Sequence, residues 1–110
     1  MTPERLFEAL KKYAGSQGIE LNKDREYVLE ILDGLLRNEA RYGYRSCPCR
    51  LAKTDKEYDR DIICPCEYKD PDIKEFGSCY CGLYVSKGWN EEKIKHLKVP
   101  ERRPLDKRGG

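Results

Sequence analysis

The sequence predicts a mainly α fold, a small multihelical domain with little or no strand. Two observations support this prediction. Apolar residues recur at helical spacing through residues 3–42, whereas cysteine, proline and turn residues take over between residues 44 and 86. Hydrophobic and charged residues each make up 38% of the 110 residues, so the core is modest and a covalent or metal staple is expected. We expect one domain over residues 1–97 and a basic C-terminal tail over residues 98–110.

A first helix is expected from Pro3, because proline suits the first turn of a helix. Leu6, Leu10 and Tyr13 then recur at helical spacing, which predicts an apolar face. The segment "GSQG" at residues 15–18 breaks the pattern and is expected to end the helix.

A second helix is expected to start near Asn22, a good N-cap, and to stop at Gly43. Acidic residues fill its first turn, where the helix dipole favours them. Its apolar stripe is broad and comprises Tyr27, Val28, Ile31, Leu32, Leu35 and Leu36. This helix is therefore expected to form most of the core.

Two short helices are expected among the cysteines. Thr54 and Glu57 have the spacing of a capping box, which predicts a helix from about residue 55 that ends at Cys64. The segment "DPDIKEFG" predicts one or two further turns, with Asp70 as the N-cap and the glycine as the stop.

After the last cysteine, the run "GLYVS" is expected to be extended. A last short helix is expected from Asn90 over "NEEKIKHL", stopped before Pro100. Trp89 would anchor this helix to the body, and His96 is interpreted as a lone surface histidine.

Charged residues outside the cysteine pairs are interpreted as solvated. Four acidic residues lie close together in the sequence and could form a functional cluster of carboxylates: Asp55, Glu57, Asp59 and Asp61. Helical spacing would distribute them around the helix, so we expect a solvated face instead. The tail from Lys98 has five basic and two acidic residues. Its basic run is short and has no aromatic residues between its charges, so we expect a solvated terminus and no nucleic-acid partner.

The N-terminal residues lack the apolar run of a signal peptide, and no stretch is long enough to span a membrane. We therefore expect a cytoplasmic protein with no membrane partner. In that reducing compartment, cysteines are expected to bind metal or carry out redox chemistry rather than to form a disulfide framework.

The six cysteines form three pairs, each with a single spacer residue: Cys47 and Cys49, Cys64 and Cys66, and Cys79 and Cys81. Thiolates are soft ligands that suit Zn(II) or an iron–sulfur cluster. Structural zinc sites use wider Cys-X2-4-Cys spacing and four ligands in total. Six thiols are expected where four hold a cubane cluster and two form a redox dithiol. A zinc-stapled binding module and a simple electron-transfer iron–sulfur protein remain as alternatives.

The order Cys-Pro-Cys, Cys-Pro-Cys, Cys-X-Cys, preceded by a helix ending in "YGYRSCPCR", resembles the catalytic (beta) subunit of ferredoxin:thioredoxin reductase. The likeness covers roughly residues 5–86. It implies a domain folded around a [4Fe–4S] cluster beside an active-site disulfide. The resemblance further implies that the cluster ligands are Cys47, Cys64, Cys66 and Cys79, and that the redox-active pair is Cys49 and Cys81.

The resemblance also implies an activity: single electrons come from ferredoxin, and the disulfide of a thioredoxin- or glutaredoxin-like protein is reduced. Cys49 would attack the target disulfide and Cys81 would resolve the mixed disulfide. Arg50, next to the nucleophile, could lower its pKa. Tyr80 stands where plant and cyanobacterial members have histidine, and this feature resembles the archaeal or bacterial branch. A separate variable subunit is therefore possible but not assumed.

Overall fold

Helices dominate the structure, which confirms the predicted fold class. The computed structural model describes residues 1–50 and 52–107. Within these ranges the helices are α1 (Pro3–Ser16), α2 (Arg25–Tyr42), α3 (Lys69–Phe76) and α4 (Lys87–Asn90). Strands β1 (Glu20–Leu21) and β2 (Tyr84–Val85) form one small sheet, and 3₁₀ turns lie at Arg60–Ile62 and Leu105–Lys107. Among the described residues, no helix combines the length and the apolar character that a membrane crossing requires.

The ends of α1 and α2 follow largely from local capping. Pro3 opens α1, behind a Thr2 side chain that accepts a hydrogen bond from the Arg5 N–H. The helix ends at Ser16, inside the segment expected to stop it. The expected N-cap of α2 is wrong, because Asp24 rather than Asn22 caps it, accepting from the Tyr27 N–H.

The core lies mainly between α1 and α2. Their buried residues are Leu6 and Ala14 of α1 and Val28, Ile31, Leu32 and Leu35 of α2, so the centre of the predicted α2 stripe is confirmed as core. Leu21, Ile62, Leu83 and Tyr84 belong to the same cluster. Three thiols, Cys47, Cys79 and Cys81, also belong to it, so the cysteine-rich segment packs directly against the helical core.

The small sheet connects the helical half to the last cysteine pair. β1, in the loop between α1 and α2, pairs antiparallel with β2, with Glu20 opposite Val85 and Leu21 opposite Tyr84. Ser78 bridges Val85 from outside the named strands. The extended run expected after the last cysteine is thus confirmed at Tyr84 and Val85 but not at Gly82, which has a φ of +78°. β1 is an element that the sequence analysis did not identify.

The helix expected from residue 55 to Cys64 is wrong. Thr54 has a φ of +65°, and the Asp55 side chain, not that of Thr54, accepts hydrogen bonds from the following N–H groups. The only helical geometry in this stretch is the 3₁₀ turn at Arg60–Ile62. The buried Asp59 carboxylate accepts hydrogen bonds from the Tyr44 hydroxyl and the Lys53 N–H, and these contacts shape the loop.

α3 forms where a helix was expected, with one error at its start. It begins at Lys69, so Asp70 lies in the first turn and is not the N-cap. Gly77 ends the helix in the left-handed conformation, with a φ of +79°, as its sequence position indicates.

The last helix is misplaced in the sequence-based prediction. α4 ends at Asn90 rather than starting there, and the Ser86 side chain caps its N-terminus. Glu92, two residues after the end of α4, has a φ of +58°, a left-handed value that is incompatible with the helix expected over this segment. His96 is exposed, as expected, and its ring stacks on Trp89 at 3.7 Å.

The C-terminal segment packs onto the body through Val99, residues 101–103 and Lys107, so the expectation of a solvated terminus is wrong there. The other residues between 98 and 106 are exposed, as expected. Arg103 is only 1% exposed and pairs with both Asp59 and Asp61, which also corrects the solvated reading of those two carboxylates. Residues 108–110 of the predicted tail lie outside the described residues. The boundary between residues 97 and 98 stays a prediction.

Candidate active site

Backbone hydrogen bonds bring the first two cysteine pairs together. The Cys47 N–H donates to the Ile62 carbonyl, and the Cys64 N–H donates to the Arg45 carbonyl, each at 2.8 Å. Ser46 and Ile63 form an antiparallel bridge between these two bonds. The segment that follows α2 is therefore fixed beside the segment that follows the 3₁₀ turn.

The third pair is held by the turn that precedes β2. The Cys79 N–H donates to the Tyr84 carbonyl at 2.9 Å, and the Tyr84 N–H donates to the Cys79 Sγ at 3.3 Å. The Tyr27 hydroxyl of α2 donates to the Cys81 carbonyl. Gly82, with a φ of +78°, lies under the Tyr27 ring.

Three thiols form a tight group. The Sγ atoms of Cys47, Cys49 and Cys81 all lie within 4.8 Å of one another. The Cys79 Sγ lies 3.8 Å from the Cys81 Sγ. Cys49 is exposed, whereas Cys47, Cys79 and Cys81 are buried. The structure therefore offers one accessible sulfur with further sulfurs directly behind it.

A small cavity behind this group brings five of the six cysteines together. Its lining thiols are Cys47, Cys64, Cys66, Cys79 and Cys81. The other lining residues are Arg50, Lys69, Tyr80 and Tyr84. Its volume is only about 10 Å³. The thiols thus face a shared space of roughly one water molecule rather than an open pocket.

Cys49 and Cys81 also meet a groove on the surface, of about 360 Å³. The groove is lined by these two thiols, by Tyr27, Ser78, Cys79, Tyr80, Gly82, Trp89 and Leu97, and by Lys98 and Val99 of the C-terminal segment. Cys79 and Cys81 line both the cavity and the groove, whereas Cys49 lines only the groove. The predicted nucleophile is thus the one cysteine outside the cavity.

Arg50 is the most constrained charged group of the site. Its side chain is 2% exposed, and its Nε lies 2.9 Å from both carboxylate oxygens of Glu101. Its Nη1 donates to the Cys66 Sγ at 3.6 Å, and its guanidinium lies over the Tyr80 ring at 4.5 Å. Its Nη2 is buried and has no hydrogen-bond partner among the described residues.

The thiols of the site have different pKa values because their surroundings differ. Hydrogen bonds from the thiols of Cys47 and Cys81 lower the pKa of Cys49 to about 4. Arg50 acts in the same direction, as the sequence analysis anticipated, but contributes less than these hydrogen bonds. The pKa of Cys81 is raised, because its thiol hydrogen-bonds to the neighbouring sulfurs and is buried. Burial likewise raises the pKa of Cys64.

Several residues of the site had no clear signal in the sequence. Tyr27 belonged to the apolar stripe of α2, and only its position facing the third cysteine pair reveals its bond to Cys81. Glu101 lay in a tail expected to be solvated. Lys69 is 5% exposed in its side chain, although lysine is rarely buried, and its charge pairs with Asp70.

Comparison with protein families identifies the family of the chain. The family model described as "Ferredoxin thioredoxin reductase catalytic beta chain" matches residues 2–103, all of the chain but its first residue and its last seven. No curated protein matches the chain. The matched range includes all three cysteine pairs and the Arg50–Glu101 contact.

Proposed function

Because the chain belongs to the family of ferredoxin thioredoxin reductase catalytic beta chains, which are iron–sulfur oxidoreductases, we propose that it is a protein-disulfide reductase. Its electron donor would be ferredoxin, and its substrate the disulfide of a thioredoxin- or glutaredoxin-like protein. The observation that carries this proposal is the asymmetry of the clustered thiols. Cys49 is exposed to a groove, and buried Cys81 lies within 4.8 Å of it.

A [4Fe–4S] cluster is the proposed cofactor, and its proposed ligands are Cys47, Cys64, Cys66 and Cys79. All four line one cavity, and four thiolates are the donor set that such a cluster requires. Positive charge from Arg50 and Lys69 lines the same space, which suits a centre with a net negative charge. When bound, the cluster supplies electrons one at a time.

The protein's own thiols account for the exchange with the target. The Cys49 sulfur attacks one sulfur of the target disulfide, which forms a mixed disulfide and releases the other target sulfur as a thiolate that takes up a proton. The Cys81 sulfur then attacks the Cys49 sulfur. This step releases the second target thiol and leaves a Cys49–Cys81 disulfide. Two electrons from two ferredoxin molecules, with two protons, restore the dithiol.

The groove beside Cys49 is the proposed place where the target docks. Its lining includes the sulfurs of Cys49 and Cys81 together with Trp89, Leu97 and Lys98. A protein substrate can therefore reach Cys49 while Cys81 stays behind it. This arrangement needs no second subunit to complete the thiol site, and the reliance on free thiols favours the reducing cytoplasm.

The first test is anaerobic reconstitution with iron and sulfide, followed by a metal count. About four irons and four sulfides per chain, with a brown colour, are the expected result. A colourless protein with one zinc ion would overturn the proposal. That outcome would favour a zinc-stapled module, for which the trio of Cys47, Cys49 and Cys81 is the candidate metal group.

A pair of matched serine variants tests the division of the thiols. Cys49→Ser is expected to keep its iron and to lose all disulfide reduction. Cys64→Ser is expected to lose most of its iron, because a proposed ligand is missing. Loss of iron in Cys49→Ser would show that the division between ligands and dithiol is wrong.

A further inference from the structure

Arg50 connects the cysteine cavity to the C-terminal segment, and the thiol-exchange steps described above do not use it. We propose that Arg50 is a positioning residue that raises the midpoint potential of the iron–sulfur centre. It does so by hydrogen-bonding to the sulfur of Cys66 and by holding a buried positive charge beside the cavity. The opposite charge of Glu101 limits how far Arg50 raises the potential. This inference rests on the proposed function, since it concerns the centre that the cavity thiols would hold.

The contacts of the guanidinium carry the inference. Nη1 donates to the Cys66 Sγ at 3.6 Å, which is within reach of a hydrogen bond to sulfur. Nη2 is buried and has no hydrogen-bond partner among the described residues. Arg50 also lines the cavity. An unpaired buried N–H group costs free energy, so a built site is expected to contain an acceptor for it. Sulfur atoms of a centre held by the cavity thiols are such acceptors.

The surroundings of Arg50 fix its position rather than leave it mobile. Glu101 holds its Nε through both carboxylate oxygens, and the rings of Tyr80 and Tyr68 lie against the guanidinium at 4.5 and 5.3 Å. At 2% exposure the side chain is largely protected from the screening that weakens surface charges. The charge therefore acts on the cavity in one geometry and with little screening by solvent.

The sign of the effect follows from charge. Reduction adds one electron from an external one-electron donor, so the site becomes one unit more negative. A nearby cation stabilises the reduced form more than the oxidised form, and an N–H group that bonds to a ligand sulfur does the same. Arg50 therefore raises the potential. Glu101 carries the opposite charge on the same guanidinium, so it lowers the potential that Arg50 alone would produce.

Because Arg50 and Glu101 change the midpoint potential in opposite directions, the sign of the shift in each variant tests the inference. The variants Arg50→Gln and Glu101→Gln both break the ion pair, so a merely structural role would shift the potential the same way in both. The proposed role shifts them in opposite directions. Arg50→Lys keeps the charge without the forked donor geometry and is expected to fall between wild type and Arg50→Gln. Arg37→Gln is the matched control, because it removes an arginine that is 77% exposed.

The experiment is a dye-mediated redox titration of the reconstituted proteins, followed by visible absorbance and electron paramagnetic resonance. For Arg50→Gln, we expect the ratio of reduced to oxidised centres at a fixed potential to fall about tenfold, equivalent to a decrease of about 59 mV for one electron. Glu101→Gln is expected to raise the same ratio, and Arg37→Gln to leave it unchanged.

Equal potentials in wild type and Arg50→Gln, or shifts of the same sign in Arg50→Gln and Glu101→Gln, overturn the inference and leave the proposed function intact. If Arg50→Gln does not load iron, Arg50→Lys and Glu101→Gln decide, and a decrease in the potential of Glu101→Gln overturns the inference. A wild-type protein that binds no iron–sulfur centre overturns both proposals.

Discussion

The Cys81 thiol is surrounded by other sulfurs of the site. It lines both the cavity and the groove, and its Sγ lies near the sulfurs of Cys47, Cys49 and Cys79. Its carbonyl accepts the Tyr27 hydroxyl, which holds the backbone at this point. A thiol in this position can reach Cys49, and at 7% exposure it is less accessible to a docked protein than the exposed Cys49 is. That placement suits a residue that resolves a mixed disulfide rather than one that begins the exchange.

The first prediction concerns this resolving role. When reduced Cys81→Ser protein is mixed with an oxidised thioredoxin-like protein, we expect a stable mixed disulfide through Cys49, because no second thiol remains to attack it. Mass spectrometry under non-reducing conditions measures the adduct, and peptide mapping locates it. The variant with serine at both Cys49 and Cys81 is the control and should form no adduct. An adduct on any other cysteine would contradict the assignment of Cys49 as the nucleophile.

Among the elements, those that local chemistry determines were predictable from the sequence. α2 ends at Gly43 with a φ of +87°, and α3 ends at Gly77 with a φ of +79°. In both cases glycine is the residue that adopts the left-handed cap at no steric cost. The core stripe of α2 was equally visible, because its apolar residues recur over many turns. Such signals depend only on neighbours along the chain.

Elements that depend on distant contacts were missed or misplaced. The loop around Asp59 takes its shape from Tyr44 and Arg103, which are 15 and 44 residues away in the sequence. β1 has two residues, too few for an alternating pattern, and it exists because β2 pairs with it. The three cysteine pairs were evident as a site, but burial, rather than spacing, distinguishes the exposed Cys49 from the others.

The second prediction concerns the contact between α2 and the first cysteine pair. A Cβ added at Gly34 of α2 would lie 2.9 Å from the Cβ of Pro48, the spacer between Cys47 and Cys49. Gly34→Ala is therefore expected to displace this pair, to cost about 1–3 kcal/mol from overpacking, and to reduce iron uptake. Urea unfolding and iron content after reconstitution are the measurements.

Gly15→Ala is the matched control for Gly34→Ala. Gly15 lies in α1, and an added Cβ would have nothing within 4 Å. Its replacement should stabilise the protein by up to about 1 kcal/mol through helix propensity and leave iron uptake unchanged. Equal behaviour of the two variants would mean that the contact between Gly34 and Pro48 does not constrain the cysteine pair.

Over the whole molecule, the C-terminal segment joins parts of the chain that are far apart in sequence. Arg103 pairs with Asp59 and Asp61, Arg102 pairs with Asp72, and Glu101 pairs with Arg50. These contacts run from the loop between the first two cysteine pairs to α3. The apolar core is modest, so buried ion pairs, in addition to any metal centre, hold the C-terminal segment against the rest of the chain; we call this arrangement the charge closure.

The third prediction tests this closure. Arg103→Gln leaves the buried Asp59 and Asp61 without their main cation, so we expect a loss of about 3–5 kcal/mol in the free energy of unfolding. Arg37→Gln, which breaks an exposed pair with Asp33, should cost less than about 1 kcal/mol. Urea titrations of the two variants at neutral pH measure the difference. Similar small losses in both would show that the segment contributes little to stability.

The fourth prediction concerns acid. Burial alone would raise the pKa of Asp61, but hydrogen bonds from Tyr68 and Arg103 outweigh it and hold the pKa below its ordinary value. A carboxyl with a depressed pKa in the folded state contributes stability above the unfolded pKa of about 3.9, and this contribution is lost as pH falls below that value towards the folded pKa. Wild-type stability should therefore decrease steeply below about pH 4.

Asp61→Asn removes the titrating group, so its free energy of unfolding should be lower than that of wild type at pH 7 but should depend less on pH below about pH 4. Tyr68→Phe deletes the hydroxyl that donates to Asp61 at 2.6 Å and should give an intermediate slope, because the ion pair with Arg103 remains. Urea titrations at a series of pH values between 7 and 3 measure these slopes. If Asp61→Asn retained the wild-type slope, other carboxyls would account for the acid sensitivity, and the charge closure around Arg103 would not be its cause.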